Sequence, residues 1–413
     1  MSTANIHEID TVLSTLRIEG DSNLEPFFQE FETLYEKKLW HQLTKSLIEF
    51  YHQPSSVSLR LRLYDTFISK FYDKINQLDL IEFLLLSLKD NSNIEDSLNY
   101  LNDLKMNFIQ LDNENKRNTG LKDHKFGCLL IDIEIARCYL LKDELIRSRE
   151  LLDKIETKFN YNLNINPIPL KLKNAFYAVN SQYFKLKNDF NSFYYTSLLY
   201  LSTLNDNENE NGNESSSSSF LNEIDWKNCA YDLSIAALLG DKIYNFGELL
   251  NHPIMSNILN DPNYQWLLNL LNSLTNGDFN KFDNLIKHDE NLKKSSNSIL
   301  LKHEDFLRQK ICLMTLIETV FAKNIRTLTF NDISVATHLP EDNVEHLIMR
   351  AISLGLLKGS IDQVNQLVII TWVQPRIINF DQIDKMKNRL VEWNEQVKAL
   401  AEKMEEKGKP IWV

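Results

Sequence analysis

The chain has 413 residues, 43% of them apolar, enough for two or three domains each with its own core and too apolar for wholesale disorder. Ten glycines and nine prolines are far fewer than average usage supplies, which disfavours collagen-like, turn-rich all-β and glycine-loop nucleotide-binding folds and favours long helices. A net charge of −12 repels polyphosphate and anionic lipid, so nucleic acid and membranes start as poor partners.

From the N-terminus, Met1 to Thr15 holds no basic start followed by an apolar block, and no stretch approaches 18 consecutive apolar residues. A protein that is neither secreted nor membrane-spanning is expected. The cysteines, Cys128, Cys138, Cys229 and Cys312, are far apart and sit in apolar helical patterns, as reduced intracellular thiols do. Within the first 300 residues apolar positions step by three and four, for example Phe126, Leu129, Leu130, Ile133, Ala136 and Leu140, predicting helices that bury one face.

A polar turn carrying Asp recurs among these helices. It reads Lys142-Asp143-Glu144-Leu145, Asn188-Asp189-Phe190, Gly240-Asp241-Lys242-Ile243 and Asn276-Gly277-Asp278-Phe279, and each copy is expected to lead directly into a new helix. The apolar positions that close the four copies lie 45, 53 and 36 residues apart, the period of stacked helical hairpins. Residues 205–219, rich in Asn, Glu and Ser, cannot bury a core face. They read as a disordered loop, a tolerated insertion rather than a phosphorylation or docking tail. Asn213-Glu214-Ser215 within it spells a glycosylation acceptor that has no secretory route.

From Phe306 the pattern changes. Phe306, Ile311, Leu313, Leu316, Ile317, Val320 and Phe321 predict one helix, and Thr329-Phe330-Asn331-Asp332 is a capping box that opens a second, ending near Leu339. Pro340, Glu341 and Asp342 start a third, with Val344, Leu347, Ile348 and Ala351 as its buried stripe and Gly355 as its stop. Leu356 to Ile361 and Leu367 to Trp372 then read as a β-hairpin. Helix, short strand, helix, helix and hairpin together describe a winged helix over residues 306–376. Between Leu328 and Arg376 it carries five acids and three bases, so a DNA-reading surface is disfavoured. The better reading is a protein-contact module whose exposed hairpin edge, Leu367, Val368, Ile369 and Ile370, pairs with a neighbouring strand.

Beyond Pro375, the residues Ile383, Met386, Leu390, Trp393, Val397, Leu400 and Met404 alternate steps of three and four, a three-heptad seam. The remaining polar positions between Asp381 and Lys409 hold seven acids and seven bases, a solvated face without a single-sign field. Such a helix can fold back on its own domain or join helices of other chains. The regular 3.5 period favours the second.

The sequence holds no recognisable active-site constellation. No glycine loop or nucleophile elbow is present. The one Glu-x-x-His, Glu49 to His52, lacks the second copy that a di-iron bundle requires, and His303, His338 and His346 read as helix-end residues. No catalytic residue, metal ligand or cofactor is therefore assigned.

Gly355-Leu356-Leu357-Lys358-Gly359-Ser360-Ile361-Asp362 followed by Thr371-Trp372-Val373-Gln374-Pro375-Arg376 closely resembles the C-terminal part of a PCI-family subunit of the 26S proteasome regulatory particle lid. The likeness is strongest from about Ile311 to Val397. It implies N-terminal helical repeats over 1–185, a PCI domain over 186–376 and a C-terminal bundle helix over 377–413. Winged helices would associate side by side in a horseshoe. It further implies a non-catalytic, hetero-oligomeric scaffold, expected in cytoplasm and nucleus, that contacts other PCI and deubiquitinase-type lid subunits and serves ubiquitin-dependent degradation. PCI subunits also occur in the signalosome and in a translation initiation factor complex, and only the two motifs choose the proteasome.

Overall fold

The structure is a computed structural model that describes residues 3–19, 24–72, 74–89, 93–117, 124–162, 168–210, 226–256, 261, 264–288, 300, 302–322, 327–374 and 380–408. Eighteen α-helices and three short strands fall among the described residues, a mostly helical chain as its composition predicts. Two compact units divide between Ile224 and Asp225.

The first unit comprises α1 (Thr3–Glu19), α2 (Glu25–Glu36), α3 (Trp40–His52), α4 (Val57–Thr66), α5 (Gln77–Leu88), α6 (Ile94–Arg117), α7 (Lys125–Leu141), α8 (Leu145–Asn162), α9 (Leu170–Lys187) and α10 (Phe190–Glu210). Phe28, Phe31, Phe50 and Phe67 form a buried aromatic cluster near its start, with ring centroids 5.6 to 6.2 Å apart. Further along, buried Asp132 of α7 accepts from Lys105 of α6 at 2.5 Å and lies 3.7 Å from Lys158 of α8, tying three helices with one carboxylate. Helices α9 and α10 pack along their length as one hairpin, and both belong to the first unit, which ends at Ile224. Helix α10 runs through Glu210, six residues into the expected loop of 205–219, whose remainder lies outside the described residues.

The hairpins turn by a shared device. After α7, Asp143 adopts a left-handed φ of 60°, its N–H bonds Leu140 O at 3.1 Å, and the Glu144 N–H reaches Tyr139 O at 3.0 Å. This Schellman pattern caps two carbonyls that the helix end leaves open. It recurs after α2 at Lys38 and after α9 at Asn188. Three of the four turn signatures read from the sequence are such reversals, the third being at Gly277.

In the second unit α11 (Trp226–Leu239), α12 (Gly247–Leu250), α13 (Gln265–Asn276), α14 (Phe279–His288) and α15 (Glu304–Ala322) precede β1 (Thr327–Thr329), α16 (Phe330–Thr337), α17 (Glu341–Ser353), β2 (Leu357–Asp362), β3 (Leu367–Val373) and α18 (Phe380–Gly408). Gly240-Asp241-Lys242-Ile243 departs from the expected pattern, because irregular chain rather than a helix follows it before α12. The cap there comes from a distant side chain. Lys310 of α15, 1% exposed, donates to Ala237 O, Leu238 O and Gly240 O at 2.8, 3.1 and 2.7 Å, which consumes all three ammonium hydrogens on the open end of α11. Tyr244, Phe246 and Phe306 surround the charge at 5.1 to 5.7 Å. Burial pulls the Lys310 pKa down to about 7, partly opposed by Asp241, while the three carbonyls favour the charged form.

Replacing Lys310 by Met preserves bulk but strands those carbonyls away from water. The variant is expected to lose about 3 kcal/mol from the unfolding transition of this unit, read as an earlier urea midpoint with an unchanged slope.

Candidate interaction surfaces

The winged helix is built on α15, α16 and α17 and closed by the sheet. The Thr329 hydroxyl accepts from the Asp332 N–H at 3.2 Å and starts α16, the first half of the expected capping box. Val344, Leu347, Ile348 and Ala351 are buried on α17, and Gly355, with φ of 73°, ends it by the same Schellman bonds, Gly355 N–H to Ile352 O and Leu356 N–H to Ala351 O, both 3.0 Å. His338 is left-handed at the end of α16, with its ring 5.3 Å from Phe279.

The sheet order is β1-β3-β2. Strand β3 is thus central: Leu367, Val368 and Ile369 pair with Thr329, Leu328 and Thr327 on one side, and with Asp362, Ile361 and Ser360 on the other. Leu367, Val368, Ile369 and Ile370 therefore do not form the exposed edge that the hairpin pattern suggests. Val368 and Ile370 are core residues, buried against the helices, and β2 is the outer strand of the hairpin. The hairpin is irregular between Lys358 and Gly359, where a Cβ on Gly359 would stand 2.3 Å from Ile369 O, so only glycine fits.

At the wing tip the Asp362 carboxylate accepts from the Val364 and Asn365 N–H groups, both at 3.2 Å, and from Asn365 Nδ2 at 2.8 Å. Those bonds hold its pKa below the usual carboxylate range. Gln363 donates to Glu345 of α17 at 3.1 Å and ties the wing to the helix. The face that reads DNA in many winged helices here exposes Glu341, Asp342, His346 and Met349. It is electrostatically unsuited to phosphate.

Helix α18 exposes its whole seam. Ile383, Met386, Leu390, Trp393, Val397, Leu400 and Met404 are between 43 and 68% exposed, so the fold-back alternative finds no support in the geometry.

Groups with chemical potential elsewhere have structural surroundings. Glu134, buried on α7, lies 3.1 Å from Arg137, and burial raises its pKa. His52 is held below its ordinary value chiefly by burial. An open cleft of about 590 Å³ along α13 and α14 is lined by Asn269, Asn272, Asn276 and Asn284, with Asp278 and Lys281 paired at 2.7 Å. Among the described residues no group of three His, Cys, Asp or Glu could hold a metal ion, and no helix is long and apolar enough to cross a membrane.

The chain matches three family models in succession: PSD13 N-terminal repeats over residues 27–271, the PCI domain over 280–372 and the Rpn9 C-terminal helix over 376–408. It is 63% identical over 409 residues to the 26S proteasome regulatory subunit RPN9 of Saccharomyces cerevisiae, spanning 99% of this chain and 100% of that one. Identity is 37% over 393 residues to the probable 26S proteasome regulatory subunit rpn9 of Schizosaccharomyces pombe, 95% and 94% of the two chains. With the 26S proteasome non-ATPase regulatory subunit 13 homolog B of Arabidopsis thaliana it is 31% over 388 residues, 92% and 94%.

Since β3 is central, a proline at Val368 removes an interior N–H and sets a rigid ring between two partners. Val368→Pro is expected to destabilise the winged helix itself by on the order of 3 kcal/mol, seen as a lowered thermal midpoint of the purified chain. A normal midpoint combined with lost partner association would instead restore the edge assignment.

Proposed function

This chain belongs to the family of 26S proteasome regulatory subunits that carry the names RPN9 and non-ATPase regulatory subunit 13, and from that premise we propose that it is a non-catalytic scaffold of the proteasome lid. The observation that carries the reading is the exposed seam of α18 in a segment that matches the Rpn9 C-terminal helix. A long helix that leaves seven apolar side chains in water lacks the burial that would stabilise them, and helices of neighbouring chains supply it.

The winged helix takes the second contact. Its acidic surface suits protein rather than nucleic acid, and the outer strand available for pairing with another PCI subunit is β2 rather than β3. Other PCI and deubiquitinase-type lid subunits are the proposed neighbours, in the cytoplasm and nucleus, and ubiquitin-dependent degradation is the process served. The full-length match, including the C-terminal helix, favours the proteasome over the signalosome or initiation factor complexes.

The test is native purification of the tagged full-length chain, of a chain ending at Asn379, and of Leu390→Asp/Trp393→Asp. Each buried apolar side chain is worth roughly 1.5 to 3 kcal/mol, so both altered chains should lose most co-purifying lid subunits. The melting midpoint of the purified chain should not move. Normal recovery of the lid with either altered chain would refute the role of α18, and recovery of initiation-factor partners would refute the assembly.

A further inference from the structure

The charges of α18, seven acids and six bases, nearly balance in number but not in position. With Ile383, Leu390, Val397 and Met404 at heptad position a and Met386, Trp393 and Leu400 at d, the e and g positions that border the seam from Lys387 onward are Lys387, Arg389, Asn394, Gln396, Ala401 and Lys403. Three are cations and none is an acid. The carboxylates Asp384, Glu392, Glu395, Glu402, Glu405 and Glu406 all fall on b, c and f, away from the seam. Lys387, Arg389 and Lys403 are exposed, and among the described residues none of them makes an ion pair, although Glu392 lies one turn from Arg389.

We propose that the surface receiving α18 is helical, apolar along one stripe, and lined with Asp or Glu on both borders of that stripe. This rests on the reading of α18 as a bundle helix and specifies the chemistry of its partner. Residues at e and g lie beside the interface, where their stems cover the seam and their charges meet those of the neighbouring helix. Cationic borders therefore select acidic ones.

The same arrangement argues against two other occupants. A second copy brings identical borders and, in either orientation, no carboxylate to face Lys387, Arg389 or Lys403, so pairing with itself is disfavoured by charge. An anionic bilayer favours an in-plane helix whose polar face is cationic, whereas the back of α18, counting Asp381, carries seven carboxylates against Lys385 and Lys398.

Full-length tagged chains bearing Arg389→Glu or Lys403→Glu, each compared with Lys398→Glu on the outer face, make the test. All three carry the same charge change on an exposed helix, and Glu and Arg are comparable helix formers. The readout is the fraction of tagged chain that sediments with large complexes from cells depleted of the resident copy, at low and at high salt. The border variants should lose about fivefold in incorporation at low salt, with Arg389→Gln intermediate, while Lys398→Glu stays near the parent level. High salt should narrow the difference.

Equal losses for Lys398→Glu and the border variants would overturn the proposal, as would unchanged incorporation of both border variants while Trp393→Asp is lost. If Trp393→Asp also incorporates normally, the bundle reading itself fails, a distinct result. The purified chain should sediment as a monomer and ignore phosphatidylserine vesicles. Self-association or vesicle binding abolished by Arg389→Glu would assign α18 to a different occupant.

Discussion

The Schellman reversal, in which an N–H just beyond a helix reaches back to a carbonyl one turn inside it, is the interaction on which the rest of this chain depends. Helices that hide one face must meet neighbours, and neighbours connected by short turns run antiparallel only if the chain reverses at once. Here the reversal requires one left-handed residue each time, and of the five described above only two, Gly277 and Gly355, use glycine for it. Lys38, Asp143 and Asn188 take that backbone at a cost of roughly 1 to 2 kcal/mol, offset by two capped carbonyls and by the apolar faces that the turn brings together. At Gly277 glycine is needed for a second reason, since a Cβ there would stand 3.0 Å from the Thr315 backbone.

Where that device is absent, another takes its place. The open end of α11 is closed by the Lys310 ammonium arriving from α15, so the packing of two helices and the capping of one are a single event. The consequence reaches the winged helix, because α15 is also its first helix. A side chain that reads as an ordinary polar position within an apolar pattern thus holds the register of the module that follows it.

Periodicity made most of this legible. The extents of α15, α16, α17 and the hairpin follow from the spacing of Ile311, Leu316, Ile333, Val344, Leu347 and Val368, and the stop at Gly355 from glycine's freedom at positive φ. Strand β1 shows why the edge was misread. Three residues, Thr327 to Thr329, are too short to carry a period, yet their pairing turns β3 from an outer strand into the central one. Lys38 escaped notice because lysine has no special tendency toward the left-handed region. The seam of α18 was fully readable, since a heptad pattern needs no tertiary information, whereas the meaning of its borders emerged only when charges were sorted by position around an exposed helix.

That helix carries a physical conflict and its resolution together. It is 29 residues long, about 43 Å at 1.5 Å per residue, and it holds its seam in water. Exposed Trp393, Leu390 and Met404 invite indiscriminate association. A helix formed in advance has already lost backbone entropy, so a fitting partner gains nearly the full value of burial, and so would an unfitting one. Discrimination must then come from terms that differ between partners. Cationic borders and a carboxylate back provide such a term, attractive to an acid-bordered helix and unfavourable toward the chain's own copies, phosphate and anionic lipid. Charge placement on α18 is thus how an apolar seam that is exposed in the lone chain remains available to one class of partner without being open to all.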